Sequence, residues 1–231
     1  WSRILRPIYS SSEIFAAFFD GAPASRTVVG LPIGSYYGYQ VEGIFQTTEE
    51  IAASPTIGGE KPGDIKFRDL NQDGIINDDD RTNLGSPIPT LTYGFNVGAE
   101  WKGIDIAVDF LGVYGNKVYN GKEVSRFAIY NWEEHVADAW TVDNPSNTEP
   151  RVTNGGHNYR VSDRFIQDGS YIRLRNVNIG YTIPISILSK IKLQSFRVFA
   201  SGSNLWTKQK FTGYSPEFPN STNPYEVGFD F

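Results

Sequence analysis

Cysteine and methionine are both absent from the 231 residues. Without cysteine there are no disulfides, no thiolate metal site and no cysteine nucleophile, which fits a bacterial envelope or secreted protein. Without an initiator methionine the chain is expected to be a processed product or a piece of a longer one. Imidazoles are scarce: His135 and His157 are the only two. No G-x-S-x-G elbow, H-E-x-x-H metal motif or phosphate-binding loop occurs. Asp and Glu are numerous enough that no single carboxylate pair stands out as a glycosidase centre, so the expectation is not an enzyme. No run of about 18 apolar residues exists, so no helix is long and apolar enough to cross a membrane. The N-terminus also lacks a charged-then-apolar leader. Neither absence bears on a β-barrel, whose alternating strands escape hydropathy plots. Basic residues are outnumbered, 21 Lys and Arg against 26 Asp and Glu, and the net charge of −5 gives no electrostatic footprint for nucleic acid.

The most informative local stretch is acidic. Residues 69–80 read D-L-N-Q-D-G-I-I-N-D-D-D. Side-chain oxygens fall at Asp69, Asn71, Asp73, Asn77 and Asp80, with Gly74 in the sixth place and the backbone carbonyl of Ile75 in the seventh. That is the spacing of an EF-hand-type calcium loop. A hard cation needs six or more oxygens, and alternate residues turn inward together only where the chain curls tightly. Asp80 stands where Glu is usual, a shorter arm for bidentate closure. The competing reading is a solvated acidic turn, because Asp, Asn and Gly are ordinary turn chemistry.

After the loop comes strict alternation. Tyr93, Phe95, Val97, Ala99 and Trp101 alternate with Thr92, Gly94, Asn96, Gly98 and Glu100. Beyond a turn at Lys102-Gly103, Ile104, Ile106, Val108 and Phe110 alternate with Asp105, Ala107, Asp109 and Leu111. Period two in both arms predicts a hairpin with one apolar face. Each arm has about the 9–11 residues a tilted strand needs to cross a bilayer. A soluble sandwich has such strands too. Residues 170–182 predict a further strand, in which Val177, Ile179 and Tyr181 lie on one face. Its first half, Y-I-R-L-R, has the opposite parity, which predicts a bulge or a change of environment. Residues 195–206 predict another strand, its facing left open because Val198 and Phe199 are both apolar. A short helical turn is expected at 47–53, capped by Thr47 or Thr48, and a helix at 131–140, capped by Asn131. Short and long connections alternate, as they do on the two sides of an outer-membrane barrel.

These segments resemble the C-terminal region of SusC/RagA-type TonB-dependent outer-membrane transporters of Bacteroidetes. The resemblance rests on P-I-G-S-Y-Y-G-Y-Q-V-E-G-I-F-Q (32–46), P-G-D-I-K-F-R-D-L-N-Q-D-G-I-I-N-D-D-D-R-T-N-L-G-S-P-I-P (62–89) and L-T-Y-G-F-N-V-G-A-E-W-K-G-I-D-I (91–106). It continues through F-I-Q-D-G-S-Y-I-R-L-R-N-V-N-I-G-Y-T-I-P (165–184), F-R-V-F-A-S-G-S-N-L-W-T (196–207) and T-G-Y-S-P-E (212–217). It implies an all-β fold: part of a large, plugged, antiparallel transmembrane barrel of the 22-stranded class, with long outer loops and one short loop helix. Residues 1–231 would be the C-terminal part of that barrel, carrying the EF-hand-like loop at 69–80, without plug or N-terminal domains. The implied setting is the bacterial outer membrane, its lipid against the strands. The implied partners are a SusD-like surface lipoprotein and the TonB complex, with an oligosaccharide or peptide as substrate. The acidic loop would be an outer loop stiffened by Ca²⁺. A rival expectation is a secreted, calcium-stabilised β-rich carbohydrate-binding module, with Trp132, Trp140 and Trp206 stacking on sugars. Against it stands the enrichment of Trp and Tyr at membrane interfaces.

Overall fold

The structure, a computed structural model of the chain, describes residues 14–19, 22–121, 123–124, 132–189, 192–213 and 229–230. In chain order the elements are β1 (Ile14–Phe19), β2 (Ala22–Thr27), β3 (Ser35–Gly38), β4 (Val41–Ile44), helix α1 (Thr48–Ala52), β5 (Ile65–Phe67) and β6 (Thr82–Gly85). Then follow β7 (Leu91–Trp101), β8 (Ile104–Tyr114), β9 (Lys117–Asn120), β10 (Ile166–Asp168), β11 (Tyr171–Thr182), helix α2 (Ile185–Leu188), β12 (Arg197–Gln209) and β13 (Phe229–Asp230). Pairing is antiparallel throughout these strands except between β9 and β13, which run parallel. The chain divides into two compact units, one of 89–116 with 169–216 and the other of the remaining segments.

The first unit is the sheet β12-β11-β8-β7. The predicted hairpin is present: β7 and β8 pair along their full lengths, from Leu91–Tyr114 to Trp101–Ile104. Lys102 and Gly103 both have positive φ, 49° and 83°, the two-residue turn whose twist matches that of the flanking strands. Cross-strand register sorts side chains by chemistry. Trp101, Ile104, Tyr181 and Val198 form one row; Ala99, Ile106, Ile179 and Ala200 the next; Val97, Val108, Val177 and Gly202 a third. On the opposite face Asn96, Asp109, Asn176 and Ser203 are in register. There Asn96 and Asn176 donate through Nδ2 to the two oxygens of Asp109, and Ser203 donates to Asn176 Oδ1 at 3.2 Å.

The parity change in β11 is a bulge. Against β8, Leu174 pairs with Phe110 and Asn176 with Asp109, so Arg175 is the inserted residue; against β12 the shift has the opposite sense, with Asn204 and Leu205 opposite Arg175. The insertion keeps Ile172 and Leu174 on the apolar face with Val177, Ile179 and Tyr181. The facing of β12 is also resolved: Val198 is in the apolar row opposite Tyr181, while Phe199 sits opposite Gly180 on the other face.

The second unit holds short strands and long loops around two small cores. Ala24, Tyr36, Tyr119, Val124, Val161 and Phe165 make one; Tyr39, Ile65, Phe67 and Ile76 make the other. Burial pushes the phenol pKa values of Tyr36 and Tyr119 well above the ordinary range. The loops are tied by one carboxylate. Asp64 is 1% exposed and accepts from Lys61 N (2.8 Å), Arg151 Nε (2.7 Å), Arg151 Nη2 (3.1 Å) and Asn158 Nδ2 (3.0 Å). Asn158 Oδ1 in turn accepts from Ile65 N at 2.9 Å.

The helical turn at 47–53 forms as α1, and Thr47 Oγ1 accepts from Glu50 N at 3.2 Å. The helix expected over 131–140 does not form as such. Asn131 lies outside the described residues, and only a 3₁₀ turn, Glu134–Asp138, is present. Its end has a physical cause. Trp140 is drawn away by its backbone N–H to Glu149 O (3.0 Å) and its indole N–H to Gln46 Oε1 (2.9 Å). Ala139 is consequently extended.

Replacing Asp64 with Ala strands one guanidinium and two N–H donors at once. Local stability of loops 61–65 and 151–158 is expected to fall by about 2–3 kcal/mol, with partial exposure of Arg151 limiting the cost. Amide hydrogen exchange at Ile65 and Arg151 in the full-length protein reads this directly.

Candidate functional site

The acidic loop joins β5 to β6, and its curl is built from its own side chains. Asp69 accepts from Gln72 N (2.6 Å) and Gly74 N (2.8 Å). Asn71 Oδ1 accepts from Asp73 N at 3.0 Å, and Asp73 Oδ1 from Ile75 N at 2.9 Å. Gly74 has φ of 85°, a conformation that glycine adopts without steric cost. Beyond it the chain is pinned on both sides. Ile75 bridges to Thr56, Ile76 N donates to Thr56 O at 3.1 Å, and Ile76 is buried in the core with Tyr39, Ile65 and Phe67.

The loop closes through a capping box. Asn77 Oδ1 accepts from Asp79 N (2.8 Å), and Asp80 Oδ2 accepts from Asn77 N (2.9 Å). Asp80 Oδ1 reaches back to Leu70 N at 2.8 Å, joining the two ends of the motif. Asp80 is 0% exposed, and among the described residues no cationic side chain is within ion-pair distance of it. Asp69, Asn71 and Asp73 are on the solvent side, and the carboxylates of Asp69, Asp73 and Asp80 are not gathered within 4.8 Å of one another. Each of the loop's carboxylate oxygens that accepts one N–H keeps a second lone pair. The donor set, all oxygen and half of it carboxylate, has the chemistry that a hard cation takes.

Of the other aromatics and imidazoles flagged in the sequence, Trp140 and His157 have structural partners. Trp140 is buried by its Gln46 bond, and His157 Nε2 lies 2.7 Å from Ile65 O with its ring 5.1 Å from Phe67. Trp206 and Trp132 are exposed. The sequence reading passed over Asp64, Arg151 and Asn158, the buried junction of the loops; they are far apart in the chain, and no spacing rule joins them.

The surface of the four-stranded sheet decides what the chain is. Among the described residues its apolar rows carry exposed side chains: Val97 is 56% and Trp101 67% exposed. No protein-family model matches the chain. Among curated proteins it is 33% identical over 229 residues to TonB-dependent receptor P3 of Formosa agariphila, covering 93% of this chain and 23% of the relative. To TonB-dependent receptor SusC of Bacteroides thetaiotaomicron it is 25% identical over 215 residues, 88% of this chain and 19% of that protein. A solved structure of the RagAB peptide transporter matches with a TM-score of 0.68 at 21% identity, over 90% of this chain and 22% of that one, a likeness of fold. The chain is similar to part of the TonB-dependent receptors, SusC among them.

It spans about a fifth to a quarter of the length of these relatives. They are receptors and transporters rather than enzymes. In a TonB-dependent receptor of the outer membrane, β7, β8, β11 and β12 are barrel strands. Barrels of that kind turn apolar rows such as these of Val, Ile and Ala to lipid, and a polar row such as Asn96–Asp109–Asn176–Ser203 to the lumen. Trp101 and Tyr181 sit in the row next to the tight turn, where amphipathic aromatics meet the bilayer surface. For this receptor, Val97→Arg is expected to cost about 2–4 kcal/mol if the residue sits near the bilayer midplane, whereas Asn178→Arg on the opposite face should cost little. The fraction of barrel that stays compact during gel electrophoresis without boiling measures both.

Proposed function

We propose that the receptor containing this chain imports a bulky nutrient, an oligosaccharide or a peptide, across the outer membrane. TonB drives the transport, and a SusD-like surface lipoprotein closes the outer mouth of the barrel. The observation that carries this reading is a membrane-length sheet with segregated apolar and polar faces in a chain related to SusC. Residues 91–114 and 171–209 supply wall. No residue of this chain is assigned to substrate contact.

The acidic loop has a structural role in this reading. Asp69, Asn71, Asp73, Asn77 and Asp80, with the carbonyl of Ile75, would hold Ca²⁺, whose positive charge would compensate the buried Asp80 carboxylate. Binding would draw the three carboxylates together and stiffen the backbone between β5 and β6. Less ordering cost would then remain to be met when substrate or lipoprotein docks. The calcium-stabilised secreted module is not favoured, since a soluble module would have to leave the apolar rows of the sheet in water.

Deleting the gene tests the transport reading. Growth on one class of glycans or peptides as sole nutrient should be lost and restored by the gene in trans, and a surface lipoprotein should co-purify with the receptor. Normal growth on every such nutrient, with no lipoprotein recovered, would contradict it. For the loop, calcium should protect wild-type receptor from proteolysis near residues 69–80, and Asp73→Ala should abolish that protection. Equal protection in the variant would remove the calcium role while leaving transport untouched.

A further inference from the structure

We propose that Glu123, Glu133 and His135 form a second metal site, for a divalent transition ion of the Zn²⁺ kind. The 3₁₀ turn at Glu134–Asp138 brings His135 beside Glu123, twelve residues earlier. His135 Nε2 lies 3.4 Å from Glu123 Oε1 and 3.7 Å from Glu133 Oε2, and the three ligand atoms are all within 4.8 Å of one another. On the other edge of the ring, Nδ1 is 3.2 Å from Glu149 Oε2. Glu149 is itself held by Arg164, whose Nη2 donates to the same oxygen at 2.6 Å while Nη1 donates to Thr148 O at 2.9 Å.

This surrounding is unfavourable to a neutral imidazole alone. Such a ring has one N–H and one lone pair, so in either tautomer a lone pair faces a carboxylate oxygen. Nδ1 is moreover a buried atom that takes no hydrogen bond. A cation on Nε2 resolves the conflict. It would draw Nε2 and the two carboxylates onto one centre, and it would fix the proton on Nδ1, on the edge that faces Glu149. A carboxylate behind the second ring nitrogen is the usual support of a metal-ligating histidine.

The spacing suits a small ion. Four-coordinate zinc with bonds of about 2.0–2.1 Å places its ligand atoms roughly 3.4 Å apart, close to the two separations measured from Nε2. A cleft of ≈ 30 Å³ lined by Glu123, His135 and Glu149 adjoins the group. One nitrogen with two carboxylates matches a borderline transition ion; calcium would require more oxygens. The acidic loop at 69–80 is thus chemically distinct. Bound metal would clip the segment after β9 to the long connection that leads to β10, a structural cross-link rather than a reaction centre.

The test uses full-length receptor in detergent, stripped with chelator, held in excess Ca²⁺ and titrated with ZnCl₂ by calorimetry. Wild type should take up one more equivalent of Zn²⁺ than His135→Ala. Glu133→Gln, at a partly exposed position, should weaken that site at least tenfold, and Glu149→Gln by about 10–100-fold as a supporting group. Co²⁺ in place of Zn²⁺ should give a visible absorption band of a four-coordinate ion, absent from His135→Ala. Identical stoichiometry and affinity in wild type, His135→Ala and Glu133→Gln would overturn the proposal. Should His135→Ala fail to fold, the comparison with Glu133→Gln decides alone.

Discussion

Hydrocarbon offers no water to a backbone N–H or C=O, so a strand that crosses it must pair every such group with a neighbouring strand. In the sheet β12-β11-β8-β7, with 11 to 13 residues per strand, the inner strands β11 and β8 obey this on both sides, and β12 and β7 each on one. The rest follows from that ladder. Once register is set, side chains fall alternately on two faces, and a slip of one residue would move every Val and Ile of a strand to the polar side. The Asn96–Asp109–Asn176–Ser203 row holds the register from inside, because its hydrogen bonds form only when these four are opposite one another. Arg175 is accommodated by a bulge for the same reason: with one residue too many, the ladder breaks locally so that both halves of β11 keep their apolar side chains together.

Away from the ladder the physics is different. The loop-rich unit cannot rely on long pairing, and its cohesion comes from buried polar junctions. Asp64 joins residues 61, 151 and 158, and Asp80 joins the two ends of the acidic loop. Ile76 anchors that loop in the same small core as Ile65 and Phe67. The loop is therefore seated by burial at one side and exposed at the other, the arrangement a structural cation site requires.

Legibility in the sequence tracked the range of the interaction. The β7–β8 hairpin could be read residue by residue, since alternation and the Lys102-Gly103 turn are local. The bulge at Arg175 was visible as a parity change, and α1 through its Thr47 cap. The acidic loop's curl was legible from Gly74 and the Asp/Asn spacing, although the commitment of those oxygens to the loop's own N–H groups was not. The helix at 131–140 misled because the near-helical spacing of Trp132, Val136 and Trp140 says nothing of Gln46 and Glu149, the distant partners that hold Trp140 elsewhere. Asp64, Arg151 and Asn158 were missed for the same reason. The Glu123–Glu133–His135 group, too, depends on a chain reversal that no spacing rule shows.

The central claim is that one face of the β7–β8–β11–β12 sheet meets lipid and the other meets an aqueous lumen. Because the chain has no cysteine of its own, single cysteines placed along β7 can report it. Spin labels at 95 through 100, in receptor reconstituted into bilayers, would be probed by oxygen and by a water-soluble nickel complex. Positions 95, 97 and 99 should favour oxygen and positions 96, 98 and 100 nickel, with a period of two. Uniform accessibility to nickel at all six positions would contradict the account and leave the apolar rows without a membrane to face.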